Sequence, residues 1–444
     1  MIKVITYGTY DMLHYGHIRL LERAKALGDY LIVGVTSDDF DKARGKINVQ
    51  QSLMERVEAV RATGIADEII IEEYEGQKID DIRRLGVDIF TVGSDWKSHF
   101  DYLNEYCKVV YLSRTEGVSS TEIRTAKWIL KMGLVGDKID FLPRFYNESK
   151  FVNGLQVIGI CSNQVENLPE TLSSLELITN DYDKLLDSVD SVYLISPPEN
   201  HYEQIKKALK KGVHVLCESP IVTDSEQYDE LLSLAKKMNC ILSEAIRTAY
   251  STAYSRLLVI IKSGIIGKVV SVDATCTAIR SIDDGTQAGW NSIFEWGPTA
   301  MLPVFQILGC DYNSKQIVSQ ITDDELMWDS FSKIDFIYPN AVASIKVGKG
   351  VKSEGELIIS GTKGYVYVPA PWWKMDYFEV RYENPTDNKR YFYQLDGEGI
   401  RYELVAFVKA VEHGKEAGYI STRVSSEFCK VINDYHSGNV VRIG

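Results

Sequence analysis

The segment GTYDMLHYGH, residues 8–17, sets two imidazoles, His14 and His17, three positions apart with Gly16 between them. At a strand-to-helix junction that spacing lets both rings face one way. Gly16 removes a side chain where a phosphate must come close, and a helix beginning here points its free amides into the same space. Two donors plus a helix terminus are what an in-line phosphoryl transition state requires, because catalysis of that step is positioning and charge stabilisation. Thr9 and Asp11 fit the same purpose. The competing expectation is that the histidines cap or pack the helix.

A second string, RTEGVSSTEIR at residues 114–124, has matching chemistry. Arg114 supplies a fixed cation; Thr115, Ser119, Ser120 and Thr121 supply hydroxyls; a helix from Thr121 would offer amides to a triphosphate. With both strings in this order, residues 1 to about 128 resemble the HxGH cytidylyltransferases, and within them the glycerol-3-phosphate cytidylyltransferases. The resemblance implies transfer of a cytidylyl group from CTP to a small alcohol phosphate, with Mg2+ on the nucleotide. It places His14, His17, Lys46 and Arg114 in catalysis. It gives Thr9, Tyr10, Asp11, Gly16, Arg44, Lys78, Asp95, Thr115, Ser119, Ser120 and Thr121 to substrate binding. Lys46 is assigned to the CTP phosphates, Arg44 and Lys78 to the acceptor, and Asp95 to the cytidine side. An ester phosphate is already ionised at neutral pH, so the nucleophile needs no general base.

The elements that must hold these residues follow from periodicity. Over residues 1–130, apolar runs (KVITYG, YLIVGVTS, EIIIEE, IFTVGSD, KVVYLS) alternate with amphipathic stretches, the pattern of a doubly wound parallel sheet that binds ligands at its strands' carboxyl ends. A closing helix is expected through TEIRTAKWILK. The alternation restarts at 131 and runs to 247 as a second Rossmann-like unit. From 248 to 444 strand-like runs follow one another, an open, largely antiparallel α+β sheet, with IRYELVAFVKAVEHG as the final helix. The fold class is therefore α/β with an appended open-sheet domain.

Residues 131–444 resemble the Gfo/Idh/MocA oxidoreductases through SPPENHYEQIKKALKKGVHVLCESPI, SGIIGKVVSV, GWNSIFEWGPTAMLPVFQILG and GELIISGTKGYVYV. The departures bear on function. The Gly-rich turn keeps Gly136 but continues with Asp137 and Lys138, and an acid there repels a diphosphate. The ribose-gripping acid becomes Ser162 or Asn163. The Glu-Lys-Pro motif becomes Glu218-Ser219-Pro220, the catalytic histidine falls on Thr299, and the nearby acid on Leu302. Neither Ser219 nor Thr299 can donate a proton near neutral pH. Gly136 and Ser162 stay as cofactor-binding candidates, but the expectation is an inactive oxidoreductase-like half that serves assembly or regulation. A bifunctional reductase and transferase using NAD(P), and a ligand-binding regulatory module, are the alternatives.

Composition bounds the rest. A chain of 444 residues with 45% hydrophobic and 25% charged residues is globular, of about three units at roughly 150 residues each. The net charge of -13 argues against nucleic acid as partner. No apolar run approaches the roughly 20 residues of a membrane span, and the amino-terminal residues do not read as a signal peptide, so a cytoplasmic location is expected. The seven cysteines are scattered and never paired as CxxC, which fits buried reduced thiols. The resemblance of residues 131–444 to the Gfo/Idh/MocA oxidoreductases implies a homodimer or higher homo-oligomer built on the open sheet.

Overall fold

The computed structural model describes residues 1–43, 49–74, 76–113, 129–138, 140–279, 290–323, 327–393, 395–415 and 418–444. They divide into two compact units, Met1–Ile129 and Leu130–Gly444.

In the first unit the five apolar runs are strands: β1 (Lys3–Gly8), β2 (Tyr30–Thr36), β3 (Glu68–Glu72), β4 (Ile89–Gly93) and β5 (Lys108–Leu112). They lie in the order β3-β2-β1-β4-β5, every pairing parallel. Central strands of such a sheet are covered on both faces, which is why β1 and β2 are continuous buried runs rather than alternating ones. Residues on one face, Val4, Leu31, Val33 and Val35, pack with Leu21 and Ala24 of the helix Tyr15–Lys25 and with Val57 and Val60 of the helix Leu53–Ala62. Ile5, Ile32 and Phe90 pack on the other with Ile82 of the helix Gln77–Leu85. Most of the expected closing helix lies outside the described residues, but its last two positions do not belong to it: Leu130 and Lys131 open the first strand of the next unit.

The second unit starts with a six-stranded sheet, β6 (Leu130–Val135), β7 (Leu155–Cys161), β8 (Leu177–Thr179), β9 (Ser191–Leu194), β10 (His214–Glu218) and β11 (Leu242–Ala245). Its order, β11-β10-β9-β6-β7-β8, is doubly wound with every pairing parallel, and the short β8 is a strand the periodicity did not disclose. A nine-stranded sheet follows: β12 (Val269–Thr277), β13 (Ser314–Asp323), β14 (Trp328–Ile337), β15 (Val342–Gly348), β16 (Leu357–Gly361), β17 (Tyr365–Val368), β18 (Tyr377–Arg381), β19 (Lys389–Phe392) and β20 (Val441–Arg442). It is largely antiparallel, as expected, with two parallel pairings, β12 with β15 and β13 with β20. The helix Ser292–Leu308 crosses it despite Pro298 and Pro303. The IRYELVAFVKAVEHG helix, Ile400–His413, is not the last. The helix Thr422–His436 follows it, capped by Ser421, whose side chain accepts from Val424 N. Its apolar positions, Val424, Phe428, Val431, Ile432 and Tyr435, are spaced for one face and are buried.

All seven cysteines are free thiols, five buried and two half-buried.

Candidate active site of the first unit and the cavity of the second

His14 is the N-cap of the helix Tyr15–Lys25, and its Nδ1 accepts the Gly16 amide at 3.1 Å. The capping role and an outward-facing role are therefore compatible. A neutral imidazole carries one N–H, and with Nδ1 accepting, that N–H is on Nε2. The His17 ring stacks on His14 with centroids 3.9 Å apart and planes 21° apart. Tyr10 closes the other side of His17 edge-on at 5.6 Å, itself buried. Gly8 allows this, because a Cβ there would lie 3.0 Å from the Tyr10 ring.

The loop carrying the pair is held in an uncommon conformation, with φ of +53° at Tyr10 and +48° at Met12. Its fastenings are specific. Asp11, buried, accepts the amides of Gln50 and Gln51 at 3.0–3.1 Å, and Gln51 Oε1 accepts Met12 N at 2.7 Å. Thr9 Oγ1 donates to Asp41 at 2.9 Å. Arg56, fully buried, donates to the backbone oxygens of Thr9 at 2.7 Å and Thr36 at 2.8 Å and pairs with Asp38 and Asp41. Sequence reasoning missed Arg56, which looks like one more charge on a surface helix. The available signal was the S-x-x-E capping box at Ser52 and Glu55, which fixes that helix's entry beside the loop.

Lys78 is buried at the strands' carboxyl ends, in contact with Glu72, 4.8 Å from the Tyr7 ring centroid and 5.4 Å from that of Phe100. Glu72 also accepts Thr36 Oγ1 at 2.8 Å, so this lysine starts out neutralised. Asp95 falls in the turn Ser94–Trp96 directly after β4, with its side chain outside the description. Arg44, Lys46, Arg114, Thr115, Ser119, Ser120 and Thr121 all lie outside the described residues. The structure thus brings together Thr9, Tyr10, Asp11, His14, Gly16 and His17.

In the second unit, Gly136 has φ of +141° and its backbone packs on Ile195, where a Cβ would sit 2.9 Å from the carbonyl carbon. Asp137 accepts Ser162 Oγ at 2.7 Å, Asn163 N at 2.8 Å and Asn163 Nδ2 at 3.0 Å. The two segments expected to flank a dinucleotide are thereby tied to each other by a carboxylate. A cavity of about 680 Å3 opens at the carboxyl ends of the strands, and Glu218, Ser219, Arg247 and Thr299 are on its wall. Ser219 donates to the buried Glu244, whose other oxygen takes Ser425 Oγ, and burial raises that carboxyl. Glu218 accepts the hydroxyl of Tyr193, which stacks on Phe145 at 3.9 Å. His201 is buried between the carbonyls of Pro220 and Ser196, and burial pushes it down to about 4. Trp372 is fully buried, donating to Thr275 O at 3.1 Å, whereas Trp373 lines the cavity.

A cytidylyltransferase-like family profile matches residues 5–126, and a profile of the oxidoreductase family with an NAD-binding Rossmann fold matches residues 131–246. The glycerol-3-phosphate cytidylyltransferase of Bacillus spizizenii is 49% identical over 124 residues, 28% of this chain and 95% of that protein. That of Staphylococcus aureus is 47% identical over 128 residues, 28% and 93%. Among solved structures, KijD10, a 3-ketoreductase from Actinomadura kijaniata in complex with NADP and TDP-benzene, has a TM-score of 0.63 at 18% identity, covering 71% of this chain and all (100%) of that one. The UDP-N-acetylglucosamine 3-dehydrogenase GnnA from Acidithiobacillus ferrooxidans has a TM-score of 0.58 at 16% identity, covering 70% and 97%. At such identities the likeness is one of fold. The chain belongs to the glycerol-3-phosphate cytidylyltransferase-like nucleotidyltransferases through its first unit and carries behind it a domain of the Gfo/Idh/MocA oxidoreductase fold.

Proposed function

We propose that the first unit joins CTP to a small alcohol phosphate, glycerol 3-phosphate or a close analogue, giving a CDP-alcohol and pyrophosphate. An ionised oxygen of the acceptor phosphate attacks the α-phosphorus, the bond to the bridging oxygen breaks, and pyrophosphate leaves with that electron pair. The observation that carries this reading is the stacked imidazole pair with His14 Nδ1 accepting from Gly16 N, which puts the proton of a neutral His14 ring on Nε2. His14 and His17 then stabilise charge growing on the α-phosphate. Lys46 and Arg114 take the leaving pyrophosphate, and Arg44 and Lys78 the acceptor. Lys78 would exchange its hold on Glu72 for the incoming phosphate. Among the described residues no group of three histidine, cysteine or acidic side chains could hold a metal ion. Mg2+ in this reading is held by the triphosphate. The test is pyrophosphate release from CTP across glycerol 3-phosphate, glycerol 2-phosphate and tetritol or pentitol phosphates; no release with any of them would end the reading.

The second unit we read as catalytically silent. Ser219 and Thr299 stand on the cavity wall at the positions where the resemblance expects a lysine and a histidine, and the ammonium groups of that wall, Lys138 and Lys374, come from other positions. Asp137 sets a carboxylate in the turn after β6, where a dinucleotide diphosphate would approach. That carboxylate does not fit an NAD(P) diphosphate at the turn after β6. A bifunctional chain, with the second unit reducing a carbonyl precursor of the acceptor, is favoured by one observation, the cavity retained with Glu218 and Arg247 on its wall. Its sign would be CTP-independent oxidation of NAD(P)H. The chain pairs with a second copy through the open face of the nine-stranded sheet, where Ile337, Val342, Tyr365 and Phe392 are exposed. Solution mass of the full chain tests this.

A further inference from the structure

The segment Asp396–Gly399 of the second unit puts a carboxylate where three cations converge. Glu398 Oε1 lies 2.9 Å from Lys374 Nζ, and Oε2 lies 3.8 Å from an Arg144 guanidinium nitrogen and 3.9 Å from one of Arg247. The cations come from separate elements: Arg144 from the helix Leu142–Ser149, Arg247 from the turn of helix after β11, and Lys374 from the turn Trp372–Lys374. All of them, with Glu398, are on the wall of the 680 Å3 cavity.

The backbone that delivers this carboxylate is unusual. Gly397, Glu398 and Gly399 have φ of +55°, +53° and +90° in succession. Glycine flanks it on both sides and takes the positive φ without strain, and at Gly399 the space is also tight, a Cβ there lying 3.3 Å from the Arg247 carbonyl oxygen. A glutamate in left-handed backbone persists only where its surroundings over-determine it, and such residues cluster at ligand clamps and switches. A purely structural staple is a poor explanation. The Glu398 side chain is 40% exposed, and ion pairs that open to water contribute little. The Lys374 hydrogen bond, with Arg247 and Arg144 behind it, holds the Glu398 carboxyl below its ordinary range, so an anion is already in place at neutral pH.

We propose that this corner of the cavity is a binding site for a phosphoryl ligand, a phosphate or diphosphate ester, and that Glu398 is its built-in occupant, displaced when the ligand arrives. Two guanidinium forks and an ammonium suit phosphoryl oxygens better than a single carboxylate, because each fork can take two of them. Trp290, Trp296 and Trp373 on the same wall leave the remaining space lined for the body of the ester. The proposal stands on the second unit alone and does not depend on the chemistry of the first.

Isothermal titration of the full chain with inorganic pyrophosphate tests it, comparing the wild type with Glu398→Gln and Glu398→Asn. Asparagine tolerates the left-handed backbone, so the second variant keeps the loop. Both are expected to bind about tenfold more tightly, a difference of about 1.4 kcal/mol, and to lose that gain when Lys374→Met or Arg144→Gln is added. Equal affinity in the wild type and both single variants overturns the proposal. A gain that survives both added substitutions overturns it too, because the ligand is then held elsewhere in the chain. Thermal denaturation separates ligand site from staple: pyrophosphate should raise the Tm of Glu398→Asn more than that of the wild type, whereas a staple predicts a lowered Tm with no added response.

Discussion

The two units present the same stage with different actors. Each contains a doubly wound parallel sheet, and such sheets bind ligands at the carboxyl ends of their strands. In the first, the loop after β1 ends in two stacked imidazoles at a helix N-terminus. In the second, the turn after β6 ends in Asp137 tied to Ser162 and Asn163, and Ser219 and Thr299 stand on the cavity wall beside Glu218 and Arg247. The same kind of parallel sheet therefore carries different chemical prospects, and function has to be read from the side chains at the strand ends.

The comparison breaks first at the imidazole pair. His14→Ala and His17→Ala should each lower turnover by roughly 100- to 10,000-fold while CTP still binds, since the rings act on charge that develops in the transition state. Steady-state pyrophosphate release and equilibrium CTP binding separate the two quantities. Near-normal turnover in both variants would leave the first unit no better equipped than the second. The complementary measurement is NAD(P)H consumption by the second unit with phosphorylated ketoses and trioses, for which no turnover is expected. A robust signal without CTP would erase the contrast from the other side.

A smaller effect is expected at Arg56, which joins the loop of the imidazole pair to β2 and the segment behind it. Removing Arg56 strands the fully buried Asp41, whereas Asp38, whose side chain is 43% exposed, turns to water. Arg56→Met should cost the first unit about 3–5 kcal/mol of stability. It should also raise KM through the loosened loop. Urea unfolding measures the first, and a stability equal to the wild type would remove Arg56 from the site's support.

What was legible in the sequence differs between the units for a physical reason. The first unit's five strands and its His14 to His17 string could be read because the apolar runs are unbroken in the sequence and the histidine string is local, within ten residues (GTYDMLHYGH). The support was not, since Arg56 reaches Thr9 across 47 positions and no periodicity records such a partner. In the second unit the helix Ser292–Leu308 contains two prolines and β8 has only three residues, so local pattern fails at both. The parallel pairing of β12 with β15 is a matter of long-range topology. The cluster around Glu398 was illegible for the same reason: its cations lie far apart in the chain, and only the glycines flanking an acid hinted at a special backbone.

The smallest effect sharpens the contrast in another way, by giving the second unit a pH response of its own. Asp329, fully buried, accepts Ile293 N at 3.2 Å and Ser332 Oγ at 2.6 Å beneath the helix that carries Thr299, and burial raises its pKa from 3.8 to about 6. The folded state therefore holds its proton more tightly than the unfolded chain. The stability this supplies is complete below about pH 3.8 and is lost as pH rises through about 6. At roughly 1.4 kcal/mol per unit the loss is about 3 kcal/mol. Asp329→Asn should keep both contacts, with its oxygen accepting from Ile293 N and its amide donating to Ser332 Oγ, which can still donate to Ser319 Oγ at 2.6 Å. Urea titrations of both proteins between pH 4 and 7 should then show the variant gaining on the wild type as pH rises, with a plateau above about pH 6. A difference that stays flat across that range would mean Asp329 is ionised throughout, sustained by the amide and hydroxyl it accepts.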